Sequence, residues 1–128
     1  NDSIIEFIKR NNLKKIFFKI DIESNEYSIL NDLIETQKDI ECLVIEFHEV
    51  GKNMNKIYNF IKKLRLKLVH IHVNNYGQIN DKGFAQVLEF TFVKLEYCFK
   101  TNKNTQFPIS NIDYPNNPFG ENRKVTFN

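Results

Sequence analysis

Apolar and polar positions along this chain switch between a helical and an extended period. Ser3-Ile4-Ile5-Glu6 has the form of a capping box, followed by Phe7 and Ile8, so a short helix is expected over residues 3–11, ended by Asn11-Asn12. The β-branched and aromatic run from Ile16 to Ile22 predicts a largely buried strand. Ser24 and Asn25 are good cap residues, Glu26 suits a helix N-terminus, and Tyr27, Leu30, Leu33 and Ile34 recur at helical spacing. The second helix is therefore expected over 25–37. Glu41 to His48 predicts the next strand. Gly51 and Asn53 break and recap the chain before a helix marked by Met54, Ile57, Tyr58, Ile61 and Leu64, with Lys56, Lys62 and Lys63 on its wet side.

Leu66 to Val73 returns to strand, and Asn74-Asn75-Tyr76-Gly77 carries turn chemistry. Gln86 to Phe99 reads as one long strand. The link before it, rich in Gly, Asn and Asp, is too short for a helical crossover, so this strand is expected to run antiparallel to a neighbour. Strands alternating with helices predict an α/β domain with a mainly parallel sheet, helical crossovers and a closing antiparallel strand pair. Residues 101–128 lack periodicity. They are expected to form an irregular Asn/Pro-rich tail, packed on the domain of residues 1–100 through Phe107, Ile109, Ile112 and Tyr114.

Composition narrows the picture. The chain has 128 residues, 41% hydrophobic and 27% charged, as a soluble single domain has. Its 18 basic and 16 acidic side chains give a net charge of +2, which argues against a nucleic-acid partner. No run approaches the roughly 18 apolar residues that cross a bilayer, and the opening Asn1-Asp2-Ser3 is no signal peptide, so no membrane partner is expected. The absence of an initiator Met reads as a processed or truncated piece. Cys42 and Cys98 sit in apolar runs and read as reduced, buried residues of a cytoplasmic protein.

The chemistry concentrates where strands end. Asp21 and Glu23, then Glu46 and His48, then His70, His72 and Asn74 are each spaced by two, which puts each set on one face of its strand. The C-terminal strand edge is where open α/β sheets bind ligands. Strand-end solvation and capping explain any single member, His70 and Glu26 in particular, but not the coincidence of three sets. Such a set can hold a divalent metal, place His48 or His72 as a general base, or hydrogen-bond sugar hydroxyls. Nucleophilic catalysis and phosphate cradling lack their motifs: no Ser lies in a Gly-x-Ser-x-Gly elbow, and the four glycines are scattered.

The segment Phe17-Phe18-Lys19-Ile20-Asp21-Ile22-Glu23-Ser24-Asn25-Glu26 resembles the signature strand of the FkbM-type S-adenosylmethionine-dependent methyltransferases, with Ser24 where that family has Gly. Leu43 to His48, His72-Val73-Asn74-Asn75-Tyr76-Gly77 and Asp113-Tyr114-Pro115-Asn116-Asn117-Pro118 resemble further family motifs in the same order. The resemblance implies the C-terminal half of a class I methyltransferase sheet, without the glycine-rich cofactor loop. It implies methyl transfer from S-adenosylmethionine to a hydroxyl of a sugar or other small metabolite. Asp21 and Glu23 would then lie near the cofactor; Glu46, His48 and His72 would be catalytic, with His48 slightly ahead as the base; and Asn74, Asn75 and Glu26 would contact the acceptor. A divalent metal is a further candidate cofactor. The alternatives are a non-catalytic remnant or interaction module and a small metal-dependent phosphoesterase. The exposed edge strand of a half sheet leaves homo-oligomerisation open.

Overall fold

The computed structural model describes residues 3–99 and 106–126. Helix α1 (Ile4–Arg10) opens on the expected capping box: Ser3 Oγ accepts from Glu6 N–H, and Glu6 carboxylate accepts from Ser3 N–H, both at 3.2 Å. There follow β1 (Ile16–Ile20), α2 (Leu30–Thr36), β2 (Ile40–Phe47), α3 (Val50–Lys63), β3 (Lys67–Val73) and β4 (Leu88–Val93). A two-residue ladder in the tail pairs β5 (Gln106–Phe107) with β6 (Val125–Thr126).

The main sheet has the order β1-β2-β4-β3. β1 and β2 are parallel, while β4 runs antiparallel to both β2 and β3 and lies between them. The fold is thus mixed α/β with its antiparallel strand last in the chain, as expected, but that strand lies inside the sheet, which is mainly antiparallel rather than mainly parallel. One pair is parallel and two are antiparallel, because β4 separates β2 from β3, which share a direction.

Two right-handed crossovers that advance the same way across a sheet place their helices on the same face. Accordingly Leu30 and Leu33 of α2 and Ile57 and Phe60 of α3 join Ile45, Phe47, Ile71, Val73, Leu88, Phe90 and Phe92 in one core. Phe47 is fully buried and meets Phe60 and Phe90 edge-on, with centroids 6.2 and 5.3 Å apart. Burying a side chain of this size contributes roughly 1.5–3 kcal/mol.

The opposite face is mixed, with Phe17, Val44 and Val93 beside a group of polar residues. Strand alternation sends Lys19, Glu46, Glu89, His70 and His72 to it, and the register aligns Glu46, Glu89 and His72 on one rung across β2, β4 and β3. Two carboxylates directly opposed repel; Lys19 offsets this by pairing with Glu89.

Several boundaries differ from the sequence reading. The helix expected from residue 25 begins as a single 3-10 turn, Glu26–Ser28, and only Leu30–Thr36 is α-helical. Asn25 makes no capping bond there. Helix α3 starts earlier than expected, so Gly51 and Asn53 lie in its first turn. The long last strand stops at Val93, where Lys94 and Tyr97 turn back to bond the Glu41 carboxylate and Leu95–Tyr97 forms another 3-10 turn. In the tail Phe107 is buried and Ile109 packs on the core, but Ile112 and Tyr114 are exposed. Cys42 and Cys98 are free but only half-buried, and burial pushes the Cys42 thiol up. Among the described residues no helix is long and apolar enough to cross a membrane.

Candidate functional site

Two histidine clusters form where one was expected. The first surrounds His48, just past the end of β2. Its Nε2 lies 3.3 Å from Glu46 Oε1 and 3.6 Å from Glu23 Oε2, and its Nδ1 lies 3.5 Å from Glu26 Oε1. Asp21, Glu23 and His48 each offer an atom within 4.8 Å of the others. Asp21 and Glu23 are exposed, His48 is half-buried, and Glu46 and Glu26 are buried.

Local backbone geometry explains the convergence. Glu23 and Ser24 both take left-handed conformations, φ 51° and 74°, which turn the chain sharply at the end of β1. The resembled family has Gly where Ser24 stands, and a side chain in this region costs roughly 1–2 kcal/mol. The turn delivers Glu26 beneath the tip of β2, where its Oε1 accepts from the His48 backbone N–H at 2.7 Å. Tyr27 donates its hydroxyl to the His48 carbonyl. Burial, then Glu26 and Glu49, push that phenol well above its ordinary range, so it stays a donor. Both main-chain polar groups of His48 are therefore held by neighbours in the 3-10 turn, and the ring is aimed at Glu46 and Glu23.

Polar satisfaction inside this cluster is incomplete. Glu26 is 0% exposed, yet its Oε2 has no hydrogen-bond partner, and the buried Nδ1 of His48 has none either. Glu46 has one donor, Asn74 Nδ2, at 3.1 Å, and Asn74 also accepts from Tyr76 N–H. Asn74 thus orients Glu46.

The second cluster lies between β3 and the tail. His70 Nε2 is 2.9 Å from Asp113 Oδ1, and His72 Nδ1 is 3.4 Å from the same oxygen. His72 Nε2 meets Asn116 Oδ1 at 2.8 Å. Asp113 Oδ2 also accepts from Ile109 N–H at 2.6 Å. Burial opposes the Asp113 charge, but that N–H and His70 outweigh it and hold the carboxyl below its usual range. His70 packs edge-on against Phe107 at 5.2 Å.

Asn75 extends this clamp. It accepts from Asn117 N–H at 2.6 Å and donates to the carbonyls of Asn117 and Glu121. Gly120 permits the approach, since a Cβ there would stand 2.9 Å from Asn75 Nδ2. Arg123 adds a bond to the Gly77 carbonyl.

The expected site residues therefore separate. Asp21, Glu23, Glu26, Glu46, His48 and Asn74 come together. His72 does not join them, because Asp113 and Asn116 engage both its ring nitrogens. Asn75 is buried and its amide is consumed by tail backbone, and Glu26 is buried beneath His48, so neither presents a free edge to an acceptor. Sequence reasoning missed Glu89 and Lys19, whose pairing across the sheet depends on the position of β4. It also gave no side-chain role to Asp113 and Asn116, although both lie in a segment it singled out.

Against known proteins, no family model matches the chain, and no curated protein matches it. Among solved structures the chain is similar to the crystal structure of an M1.HpyAVI–SAM complex, at 19% identity and a TM-score of 0.45, over 88% of this chain. The chain spans 56% of that solved chain.

Proposed function

We propose that this chain supplies the acceptor side of an S-adenosylmethionine-dependent O-methyltransferase site, with a hydroxyl of a sugar or other small metabolite as the acceptor. The observation that carries this reading is the His48 ring, held within 3.6 Å of three carboxylates at the C-terminal ends of the parallel strands β1 and β2. The resemblance of the β1 and β2 motifs to FkbM-type enzymes supports it.

Methyl transfer to a hydroxyl needs the oxygen made nucleophilic and held in line with the methyl donor. His48 Nε2 is the group placed to take the hydroxyl proton. Glu46, at 3.3 Å, stabilises the imidazolium that forms, and Glu26 backs the other ring nitrogen. Asp21 and Glu23, at the end of the neighbouring strand, face the donor and the acceptor's polar groups. Glu89 and Lys19 border the same face of the sheet.

The test is transfer of a labelled methyl group from S-adenosylmethionine to a panel of sugars and small alcohols, by the protein carrying this chain. His48→Ala is expected to lower turnover roughly 10²–10⁴-fold while leaving methyl-donor affinity within about threefold, a difference below 1 kcal/mol. Asp21→Asn should weaken donor or acceptor binding as well as rate. Transfer unchanged in both His48→Ala and Glu46→Gln removes the assignment. Absence of transfer to any hydroxyl favours the non-catalytic interaction module instead.

A further inference from the structure

We infer that Asp21, Glu23 and His48 form a divalent-cation site, with Glu26 as the residue that orients the histidine. The ligand atoms lie within 4.8 Å of one another, so a small rotation of the exposed Asp21 and Glu23 side chains would close them on one ion at about 2.0–2.6 Å. They also come from a turn and a strand end whose backbone is fixed by hydrogen bonds to the His48 N–H and carbonyl.

The second, independent observation is Glu26. Its carboxylate is 0% exposed, has one oxygen without a partner, and lies against the imidazole. A buried carboxylate without a compensating positive charge costs several kcal/mol. Among the described residues Lys52 pairs with Glu49 and Lys56 lies over the Tyr27 ring, and no lysine or arginine forms an ion pair with Glu26.

The chemistry of the ring points the same way. Nδ1 faces Glu26 and Nε2 faces Glu23 and Glu46, so one imidazole stands among three carboxylates. With the proton on Nδ1, the Nε2 lone pair is available to a cation, which would offset the surplus negative charge. A carboxylate behind one imidazole nitrogen and a metal in front of the other is the usual arrangement of a histidine ligand. One nitrogen and two carboxylate oxygens suit manganese(II) or zinc better than calcium, which prefers oxygen ligands alone.

As a binding site this does not depend on methyl transfer. Its bearing on catalysis rests on the reading above: a cation at His48 Nε2 would take over activation of the acceptor hydroxyl as a Lewis acid, leaving the imidazole as its ligand.

The experiment is titration of the full 128-residue chain with manganese(II) chloride by electron paramagnetic resonance, and with zinc chloride by calorimetry, without methyl donor. One ion per chain is expected. Asp21→Asn, Glu23→Gln and His48→Ala should each weaken binding at least about 100-fold, and Glu26→Gln about 10–100-fold, the usual effect of losing an orienting partner. Glu96→Gln, an exposed carboxylate elsewhere, should bind as wild type. Asp21 and Glu23 are exposed, so their variants keep the fold, and circular dichroism verifies it. No saturable binding up to about 1 mM, only a few kcal/mol of affinity, overturns the inference, as does binding indifferent to both Asp21→Asn and His48→Ala. No saturable ion binding in the titration, beside methyl transfer that persists in chelator, would discard the cation and keep the transferase. An ion bound by a chain that transfers nothing would do the reverse.

Discussion

The two histidine clusters use the same residue types and differ in how their charges balance. Around Asp113 one carboxylate meets two imidazoles and a backbone N–H, and the carboxylate itself is fully engaged, although the neighbouring Asn122 keeps one buried oxygen without a partner. Around His48 one imidazole meets three carboxylates, and two buried polar atoms are left without hydrogen bonds. The first arrangement is what stability selects, since satisfied buried polar groups fix one tail position. The second is poorer for stability, because Glu26 and Glu46 are both buried beside a single imidazole. This imbalance is the reason for placing the proposed site at the His48 cluster and not at Asp113.

Mutations can break this contrast, and the largest effect is expected at the clamp. Asp113→Ala leaves His70, His72 and the Ile109 N–H without their acceptor and should cost about 3 kcal/mol, read from urea denaturation. The tail from Gln106 onward should become sensitive to limited proteolysis. The same residue carries an acid signature. Its folded pKa lies below the unfolded value, so its stabilisation is fully present above about pH 4 and is lost as pH falls through the folded value. The acid limb of the stability curve should therefore be shallower in Asp113→Ala than in wild type.

His72→Ala removes a less central partner and should cost about 1 kcal/mol by the same measurement. Were it to abolish methyl transfer with stability preserved, His72 would belong to the site after all, and the division between the clusters would be wrong. Glu26→Gln should behave in the opposite sense. Glutamine keeps an acceptor for the His48 N–H but deletes the buried charge, so in chelator stability is expected to stay level or rise by about 1 kcal/mol. A loss of several kcal/mol there would mean that Glu26 is a structural anchor. Smallest of all, Glu23→Gln at an exposed turn should shift stability by no more than about 0.5 kcal/mol.

What the sequence revealed follows the range of the forces involved. Strands β1 and β2 were legible because runs such as Ile16-Phe17-Phe18 and Leu43-Val44-Ile45 have few alternatives. The α1 capping box was legible because both of its bonds span only three residues. Convergence of Asp21, Glu23, Glu46 and His48 was also legible, since parallel neighbours joined by one helix end at the same edge. The partners of His72 were not, because Asp113 and Asn116 arrive from more than forty positions away. Nor was the 3-10 entry into α2. There the docking of Glu26 and Tyr27 onto the β2 tip overrides the helical spacing of Tyr27, Leu30 and Leu33. The exposed Ile112 and Tyr114 make the same point: an apolar residue in an irregular tail has no period to assign it a face.

The insertion of β4 between β2 and β3 has a consequence for the order of assembly. The strand that joins the sheet's interior is the last of the four to be synthesised, and its partner β2 lies about forty residues upstream. While the ribosome is still short of Leu88, β2 has β1 on one side and an unpaired row of amides and carbonyls on the other, with Leu43, Ile45 and Phe47 incompletely covered. Local steps, the α1 turn and the β1–α2–β2 crossover, can form during that interval; the sheet cannot close. Nascent chains halted before Leu88 should therefore be caught by hydrophobic-binding chaperones and released once Val93 has cleared the exit tunnel. Arrested chains of graded length, probed for chaperone crosslinking, measure this directly, and crosslinking that fades before β4 emerges would show that the first half folds without it.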